Sequence, residues 1–353
     1  MDRIVTIQRH IMEQEALHPA ATGEFTRLLW DLVLAFKMIS REVNRAGLAN
    51  ILGLAGHENV QGEQVMKLDD YSQRRIFEQM DHGGLLCCMA SEEVEDVIPI
   101  PERFPRGKYV LLFDPLDGSS NVDVNASLGT IFSVHRKRTP GVDGTLKDCL
   151  QKGSDQVAAG YVVYGSSTML VYTAGRGVHG FTLDPSLGEF LLSHENIHIP
   201  KRGKQYSINE GNERSWDEGT RRYVQYLKEK DKATGRPYSL RYIGTLVGDF
   251  HRTLLRGGIF LYPSDCTDPE NPKPKLRLLY EVAPMAMIAE QAGGAASTGH
   301  ERILDVRASS LHQRVACALG SPDDVRQYQD FVKGRRGDRG VRNAQRRLKT
   351  MSP

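Results

Sequence analysis

Phe113-Asp114-Pro115-Leu116-Asp117-Gly118-Ser119-Ser120-Asn121 follows directly on the apolar run Tyr109-Val110-Leu111-Leu112. The run reads as a buried strand that delivers two carboxylates and a Gly-Ser-Ser turn to its own end. Carboxylates are hard oxygen ligands suited to Mg2+, and such a turn offers backbone N–H groups to phosphate oxygens. Open α/β sheets bind their ligands beyond the carboxyl ends of their strands, where these residues fall. The plainer reading is an acidic surface turn, because Asp-Pro and Asp-Gly are common turn dipeptides.

Two further segments repeat the pattern. Gly84-Leu85-Leu86-Cys87-Cys88-Met89-Ala90 reads as a second buried strand and ends in Ser91-Glu92-Glu93. Lys275-Leu276-Arg277-Leu278-Leu279-Tyr280-Glu281 places an acid where an apolar segment enters a helix. That helix is expected to run from Ala283 to Gln291, with Pro284 tolerated in its first turn and Gly293-Gly294 ending it. Glu92-Glu93 alone reads as a solvated acidic loop. Carboxylates that converge raise one another's pKa unless a cation neutralises them, so three acidic segment ends favour a metal.

With these residues in place the chain resembles class I fructose-1,6-bisphosphatase, within the lithium-sensitive sugar phosphatase superfamily that includes inositol monophosphatase. The superfamily signature is a Glu-Glu pair after one strand and Asp-Pro-Leu-Asp-Gly after the next, here Glu92-Glu93 and Asp114 to Gly118. Leu68-Asp69, Gly129-Thr130-Ile131-Phe132, Ala158-Ala159-Gly160-Tyr161, Ser207-Ile208-Asn209-Glu210-Gly211 and Gly257 to Pro263 are similar to that one family. So are Lys275 to Glu281 and Gly320-Ser321-Pro322-Asp323-Asp324. The similarity runs in order over roughly residues 10 to 332 and is far more specific than any short pattern.

Composition agrees with a soluble metabolic enzyme. At 353 residues with 40% hydrophobic content there is material for two cores. No apolar stretch approaches the roughly 20 residues needed to span a bilayer. The amino terminus carries mixed charges rather than a signal-peptide run, so the expected location is the cytoplasm. Cysteine number is five, with Cys87 and Cys88 adjacent in a core strand. They read as reduced packing residues, and no Cys/His spacing suggests structural zinc. Eight Lys/Arg and one Asp from Lys333 onward give +7, leaving −5 for residues 1–332 of a chain whose total is +2. The glycine- and arginine-rich tail is expected to be disordered, and without an aromatic or fold motif it does not argue for nucleic acid.

The expected fold class is α/β, and the resemblance implies a layered α-β-α-β-α sandwich of two α/β domains. Residues 1–195 would form an N-terminal metal- and nucleotide-regulated domain, 196–333 a C-terminal sugar-phosphate-binding domain, and 334–353 the basic tail. The polar stretch Ser193 to Gln205 is the expected boundary, and no internal repeat is detectable. Phe25, Leu28, Leu29, Leu32, Val33, Phe36, Ile39 and Val43 recur at helical spacing between Thr22, as N-cap, and Gly47. A second helix is expected over Glu63 to Met80. Strands are expected to end at Ala90 and Phe113, then to cover Ile131 to His135, Val157 to Tyr164 and Met169 to Thr173.

The resemblance implies hydrolysis of the 1-phosphate of fructose 1,6-bisphosphate in gluconeogenesis, with two or three Mg2+ per subunit (Mn2+ or Zn2+ as substitutes). It implies that Glu92, Asp114, Asp117, Glu281 and the Leu116 carbonyl bind the ions. Glu63, Asp69 and Glu93 would activate the attacking water, although the family has Asp where this chain has Glu63. The segment from Glu63 to Asp69 would be a loop closing over the site. Arg277 would balance negative charge near the metals, its plainer reading being a surface salt bridge. Asp117 and the turn Gly118-Ser119-Ser120 would hold the cleaved phosphate. Asn209, Tyr242, Tyr262 and Lys275 would hold the other one, and Arg241 would reach a neighbouring subunit's site. The family commonly has tyrosine at the position of Asn212, so one phosphate contact is missing or replaced. A homotetramer is implied, as is inhibition by adenosine monophosphate through Thr22, Gly23, Glu24, Thr26, Lys108, Tyr109 and Arg136. Competing readings are a sedoheptulose-bisphosphatase or bifunctional enzyme, an inositol monophosphatase, and a non-catalytic sugar-phosphate-binding regulator.

Overall fold

Along the strand Tyr109–Asp117, side chains alternate between two cores. Val110 and Leu112 pack into one, and Tyr109, Leu111 and Phe113 into the other. A strand buried on both faces must carry apolar residues at every position, as this one does up to its acids. The structure, a computed structural model, describes residues 4–16, 23–46, 48, 53–58 and 64–335. Glu63, Thr22 and all but the first two residues of the basic tail lie outside the described residues.

The strand sits inside an eight-stranded sheet. Its neighbours are Leu86–Ser91, which is parallel to it, and Leu128–Arg136, which is antiparallel. Beyond Leu86–Ser91 lies the short edge strand Ile98–Pro99. On the other side the sheet continues antiparallel through Gln156–Tyr164, Thr168–Thr173, His179–Asp184 and Glu189–His194. A second sheet of five strands has the order Ser239–Leu240, Gln205–Ser207, Ile259–Tyr262, Cys317–Gly320 and Ala295–Ser297.

Helices α1 (Ile7–Glu15), α2 (Glu24–Val43) and α3 (Lys67–Met80) are the first three of the chain. Leu28, Leu32, Phe36 and Ile39 of α2 share one core with Leu111, Phe113 and Phe132 of the large sheet. Its opposite face packs Val110, Ile131 and Tyr161 against Phe250 of helix Leu246–Arg256 and Met285 of helix Ala283–Gln291. Those two helices also meet Phe260 and Leu319 of the second sheet. Ile259 and Leu261, one residue to either side of Phe260, face outward onto Tyr223 and Tyr328 of the helices Glu218–Lys228 and Pro322–Val332. The layers are therefore α, β, α, β, α, as the resemblance implies.

Several boundaries differ from expectation, among them the strand expected from Ile131, which begins at Leu128. Helix α2 is capped by Gly23, whose φ of 76° suits a residue without Cβ, and ends at Val43 with Asn44 as C-cap. Helix α3 begins at Lys67 rather than Glu63, because the Asp69 carboxylate accepts the Met66 N–H (2.9 Å) at its first turn and Gln64–Met66 forms a short strand. Asp69 is thus helical and not part of a loop. The strand expected to end at Phe113 continues to Asp117, with Asp114 paired to Ile131, Asp117 to Gly129, and a bulge between. Pro115, which lacks an N–H, falls in that bulge, where a ladder donor is not needed.

Candidate active site

The bulge gives the signature its geometry. Asp114 turns one carboxylate oxygen onto the Leu116 N–H (2.9 Å), and the Pro115 carbonyl accepts the Thr130 hydroxyl (2.9 Å). Asp117 then projects to the start of helix Leu246–Arg256, which donates the Leu246 N–H (3.3 Å) and the Val247 N–H (2.7 Å) to it. The first turn of a helix has free N–H groups and the positive end of the helix dipole, so it holds a carboxylate well. Thr245 caps that helix by accepting the Gly248 N–H (2.9 Å). Buried Asp249 ties the approach by accepting from Ile243 N (2.8 Å) and Gly244 N (2.9 Å).

Gly118 has φ 77° and lies so close to Thr245 that a Cβ there would stand 2.3 Å from the Thr245 methyl. Only glycine lets the Gly-Ser-Ser turn pass under that helix start.

Glu281 lies in the turn of π-helix Leu278–Val282 that leads into helix Ala283–Gln291, and it accepts the Arg277 N–H (2.5 Å). Oxygens of Asp114, Asp117 and Glu281 lie within 4.8 Å of one another. Burial, followed by the charges of Glu92, Asp117, Glu281 and Glu93, pushes Asp114 well above the usual carboxylate range. Asp117 is raised to about 7 by burial, with Glu281 adding to the rise and the Val247 and Leu246 N–H groups opposing it. Such a cluster is stabilised by a hard divalent cation, which replaces carboxylate repulsion with coordination. The donor set therefore fits Mg2+. The Arg277 side chain is 5% exposed and ion-paired to Glu92, with Glu281 4.0 Å away. It is a buried cation among the acids and not a surface salt bridge.

Asp69 reaches the same cleft from α3. It is 2% exposed, and one carboxylate oxygen accepts the Met66 N–H (2.9 Å). Burial first, then Glu93, raises it to about 7 against the Met66 and Ser119 hydrogen bonds. A carboxylate titrating near neutrality can accept a proton from water and release it again.

The cleft has a volume of about 450 Å3 and is lined by Asp69, Glu92, Glu93, Asp114, Leu116, Asp117 and the Gly118–Ser120 turn. Asn209, Tyr242, Tyr262, Lys275, Arg277 and Glu281 line it as well. Arg241 does not; it stands exposed and donates to the Leu240 carbonyl (2.8 Å). Thr245, Leu246, Asp249 and Phe260 also line the cleft and were not anticipated. The signal available for them was a Thr-x-x-Gly cap at the head of a helix, which by itself says nothing about Asp117.

A second cavity, of about 340 Å3, is bounded by Gly23, Thr26, Lys108, Tyr109 and Arg136. Lys108 and Arg136 each lie over the Tyr109 ring, at 5.8 and 5.5 Å from its centroid. Glu24 pairs with Lys108. Glu15, Arg176 and His179 complete the wall and were not anticipated.

Comparison with known proteins gives a consistent result. The family described as "Fructose-1-6-bisphosphatase, N-terminal domain" matches residues 5–195, and "Fructose-1-6-bisphosphatase, C-terminal domain" matches 199–333. A class 1 fructose-1,6-bisphosphatase of Chloroherpeton thalassium is 58% identical, over 95% of each chain. One of Chlorobium chlorochromatii is 56% identical over 95% of this chain and 100% of its own. The holo-form crystal structure of Leishmania major fructose-1,6-bisphosphatase superposes with a TM-score of 0.86 at 42% identity, covering 94% of this chain and 99% of that one. With family and fold in agreement along nearly the whole length, the chain belongs to the class 1 fructose-1,6-bisphosphatase family and is a phosphoric monoester hydrolase.

Proposed function

We propose that the chain hydrolyses the 1-phosphate of fructose 1,6-bisphosphate, giving fructose 6-phosphate and phosphate, as a Mg2+-dependent step of gluconeogenesis. The observation that carries this reading is the convergence of Asp114, Asp117 and Glu281 within 4.8 Å, beside the Gly118-Ser119-Ser120 turn in one cleft. Asp114, Asp117, Glu281, Glu92 and the Leu116 carbonyl would hold two or three cations. When bound, these neutralise phosphate charge and stabilise the leaving oxygen.

The protein's own groups have separable tasks. The Gly118-Ser119-Ser120 turn holds the scissile phosphate. Asp69, with Glu93 keeping its affinity for a proton high, accepts a proton from the attacking water. Glu63 shares that task in the resemblance. Arg277 holds Glu92 and Glu281 in position. Asn209, Tyr242, Tyr262 and Lys275 anchor the phosphate that is retained, in the same cleft as the carboxylates. Arg241, exposed and outside the cleft, is available to a neighbouring subunit of a homotetramer. The proposed boundary at about residue 195 then places Glu92, Asp114, Leu116 and Asp117 on one side and the groups for the retained phosphate on the other, with Glu281 joining the metal set from the second domain. Among the described residues no helix is long and apolar enough to cross a membrane, in keeping with the cytoplasmic location proposed.

The test is phosphate release from fructose 1,6-bisphosphate and inositol 1-phosphate by one preparation, with Mg2+ and with a chelator. Turnover of the sugar bisphosphate is expected with Mg2+, at least about 100-fold above the inositol ester, and none with chelator. A protein that binds the bisphosphate without turnover would be a sugar-phosphate-binding regulator instead.

The second cavity supports regulation by adenosine monophosphate, with Gly23, Thr26, Lys108, Tyr109 and Arg136 as contacts. Glu15 accepts the Thr26 hydroxyl at the head of α2, within that cavity. Its carboxylate opposes an incoming phosphate by like charge. Glu15→Gln is therefore expected to tighten nucleotide inhibition about tenfold, roughly 1.4 kcal/mol. Inhibition constants for the parent and variant check this, and equal values would remove Glu15 from the site.

A further inference from the structure

Asn209 lines the cleft, but the residue after it does not. Asn209 Oδ1 accepts the Gly211 N–H (3.1 Å) and so caps the short 3-10 helix Glu210–Ser215. With that oxygen taken by the backbone, the amide N–H donors of Asn209 are left for the cleft, where its side chain also hydrogen-bonds Tyr242. Glu210 holds this turn from behind. Its carboxylate accepts the Tyr206 hydroxyl (2.6 Å) on one oxygen and the Lys228 ammonium (2.7 Å) on the other. Tyr206 belongs to strand Gln205–Ser207 of the second sheet, and Lys228 ends helix Glu218–Lys228. Tyr206 is buried, and its carbonyl accepts the Arg241 N–H (2.9 Å), one residue before Tyr242. One tyrosine therefore fixes the backbone that leads to Tyr242 through its carbonyl, and the turn that carries Asn209 through its hydroxyl and Glu210.

We infer that Glu210 is a positioning residue for the retained phosphate: through Tyr206 and Lys228 it sets Asn209 beside Tyr242. This rests on the proposed assignment of Asn209 and Tyr242 to that phosphate. The Glu210–Lys228 pair is partly exposed, and a surface ion pair adds little to folding stability. What it sets is geometry. A carboxylate that accepts a hydroxyl and an ammonium at once is confined to few orientations, so the turn stands in place before the sugar phosphate arrives. Without Glu210 the turn must be ordered on binding, which lowers affinity at this end of the cleft and leaves the carboxylate cluster untouched.

The experiment is steady-state kinetics of the full chain on fructose 1,6-bisphosphate over a range of Mg2+, with fructose 6-phosphate as product inhibitor. The proteins are the parent, Glu210→Ala, Glu210→Gln, Tyr206→Phe and the double variant Tyr206→Phe/Glu210→Ala. Glu210→Ala is expected to raise KM and the fructose 6-phosphate inhibition constant about tenfold. Its kcat and the Mg2+ concentration for half-maximal activity should stay within about twofold of the parent. Tyr206→Phe, which removes only a hydroxyl, should give the same pattern at about threefold. Combined with Glu210→Ala it should cost nothing further, because both act through one hydrogen bond. Glu210→Gln can still accept the Tyr206 hydroxyl and should recover part of the loss. An unchanged fructose 6-phosphate constant in Glu210→Ala would overturn the inference. So would losses in kcat and Mg2+ response as large as the rise in KM, or additive losses in the double variant. If Glu210→Ala does not fold, Tyr206→Phe decides on the same readouts. A parent without turnover would overturn the proposed reaction instead, and calorimetric binding of fructose 6-phosphate would then decide the role of Glu210. Binding about tenfold weaker in Glu210→Ala would support it; equal affinity, or no binding by the parent, would overturn it.

Discussion

Asp117→Asn is expected to lower phosphate release by about 1,000-fold, about 4 kcal/mol of transition-state stabilisation, while leaving the protein folded. Asp117 is one of three carboxylates whose oxygens lie within 4.8 Å of one another. Its buried position and Glu281 already push its pKa to about 7, so its charge opposes folding rather than supporting it. Replacing it with a neutral side chain of the same shape removes repulsion from Asp114 and Glu281. One amide oxygen can still accept the Val247 N–H that Asp117 takes at 2.7 Å. The melting temperature without Mg2+ should stay level or rise, and the increase produced by Mg2+ should shrink. Activity, melting curves with and without Mg2+, and fructose bisphosphate binding distinguish the outcomes. Turnover close to that of the parent would remove Asp117 from the catalytic centre. Binding retained with turnover lost would separate an enzyme from a regulator that only binds sugar phosphate.

Most of the first half of the site was legible because one continuous apolar run carries it. Tyr109 to Phe113 is apolar at every position, which marks a strand buried on both faces, so the acids that follow must emerge at its end. The Glu92-Glu93 and Glu281 segments could be read the same way. Contacts set by distant segments could not. Asp117 is held by Leu246 and Val247, 129 and 130 residues further along, and nothing local in either segment announces the pairing. Arg277 was ambiguous for a related reason: a lone arginine in an apolar run is a surface group or a buried counter-ion depending on what packs above it, here Glu92. The early start assigned to α3 failed because hydrophobic spacing continues through Met66 and does not reveal that Asp69 caps the helix from within its first turn. The Pro115 bulge was missed because Asp-Pro looks like the end of a strand, whereas the Thr130 and Asp114 hydrogen bonds let pairing resume at Asp117.

Gly129→Ala should reduce turnover about 100-fold and destabilise the protein by about 2 kcal/mol, although residue 129 carries no chemistry. Gly129 pairs with Asp117 across the antiparallel ladder. A Cβ there would stand 2.3 Å from a Val247 methyl and 2.5 Å from Val247 Cβ. Neither backbone can yield alone. The glycine strand lies between two hydrogen-bonded neighbours, and Val247 is in the first turn of the helix whose N–H groups hold Asp117. Relief therefore moves helix Leu246–Arg256 away from the sheet, and the carboxylate loses the donors that orient it toward Asp114 and Glu281. Loss of orientation reduces kcat more than substrate affinity, because the retained phosphate is bound elsewhere. Val247→Ala in the same chain removes the methyl contacts but keeps the 2.5 Å Cβ contact, so recovery should be partial. Gly165→Ala is the control: its nearest neighbour would be Ser127 Oγ at 3.4 Å, an ordinary contact, and kinetics and melting should match the parent. If Gly129→Ala matched the parent as well, the close seat of this helix on the sheet would not be what positions Asp117.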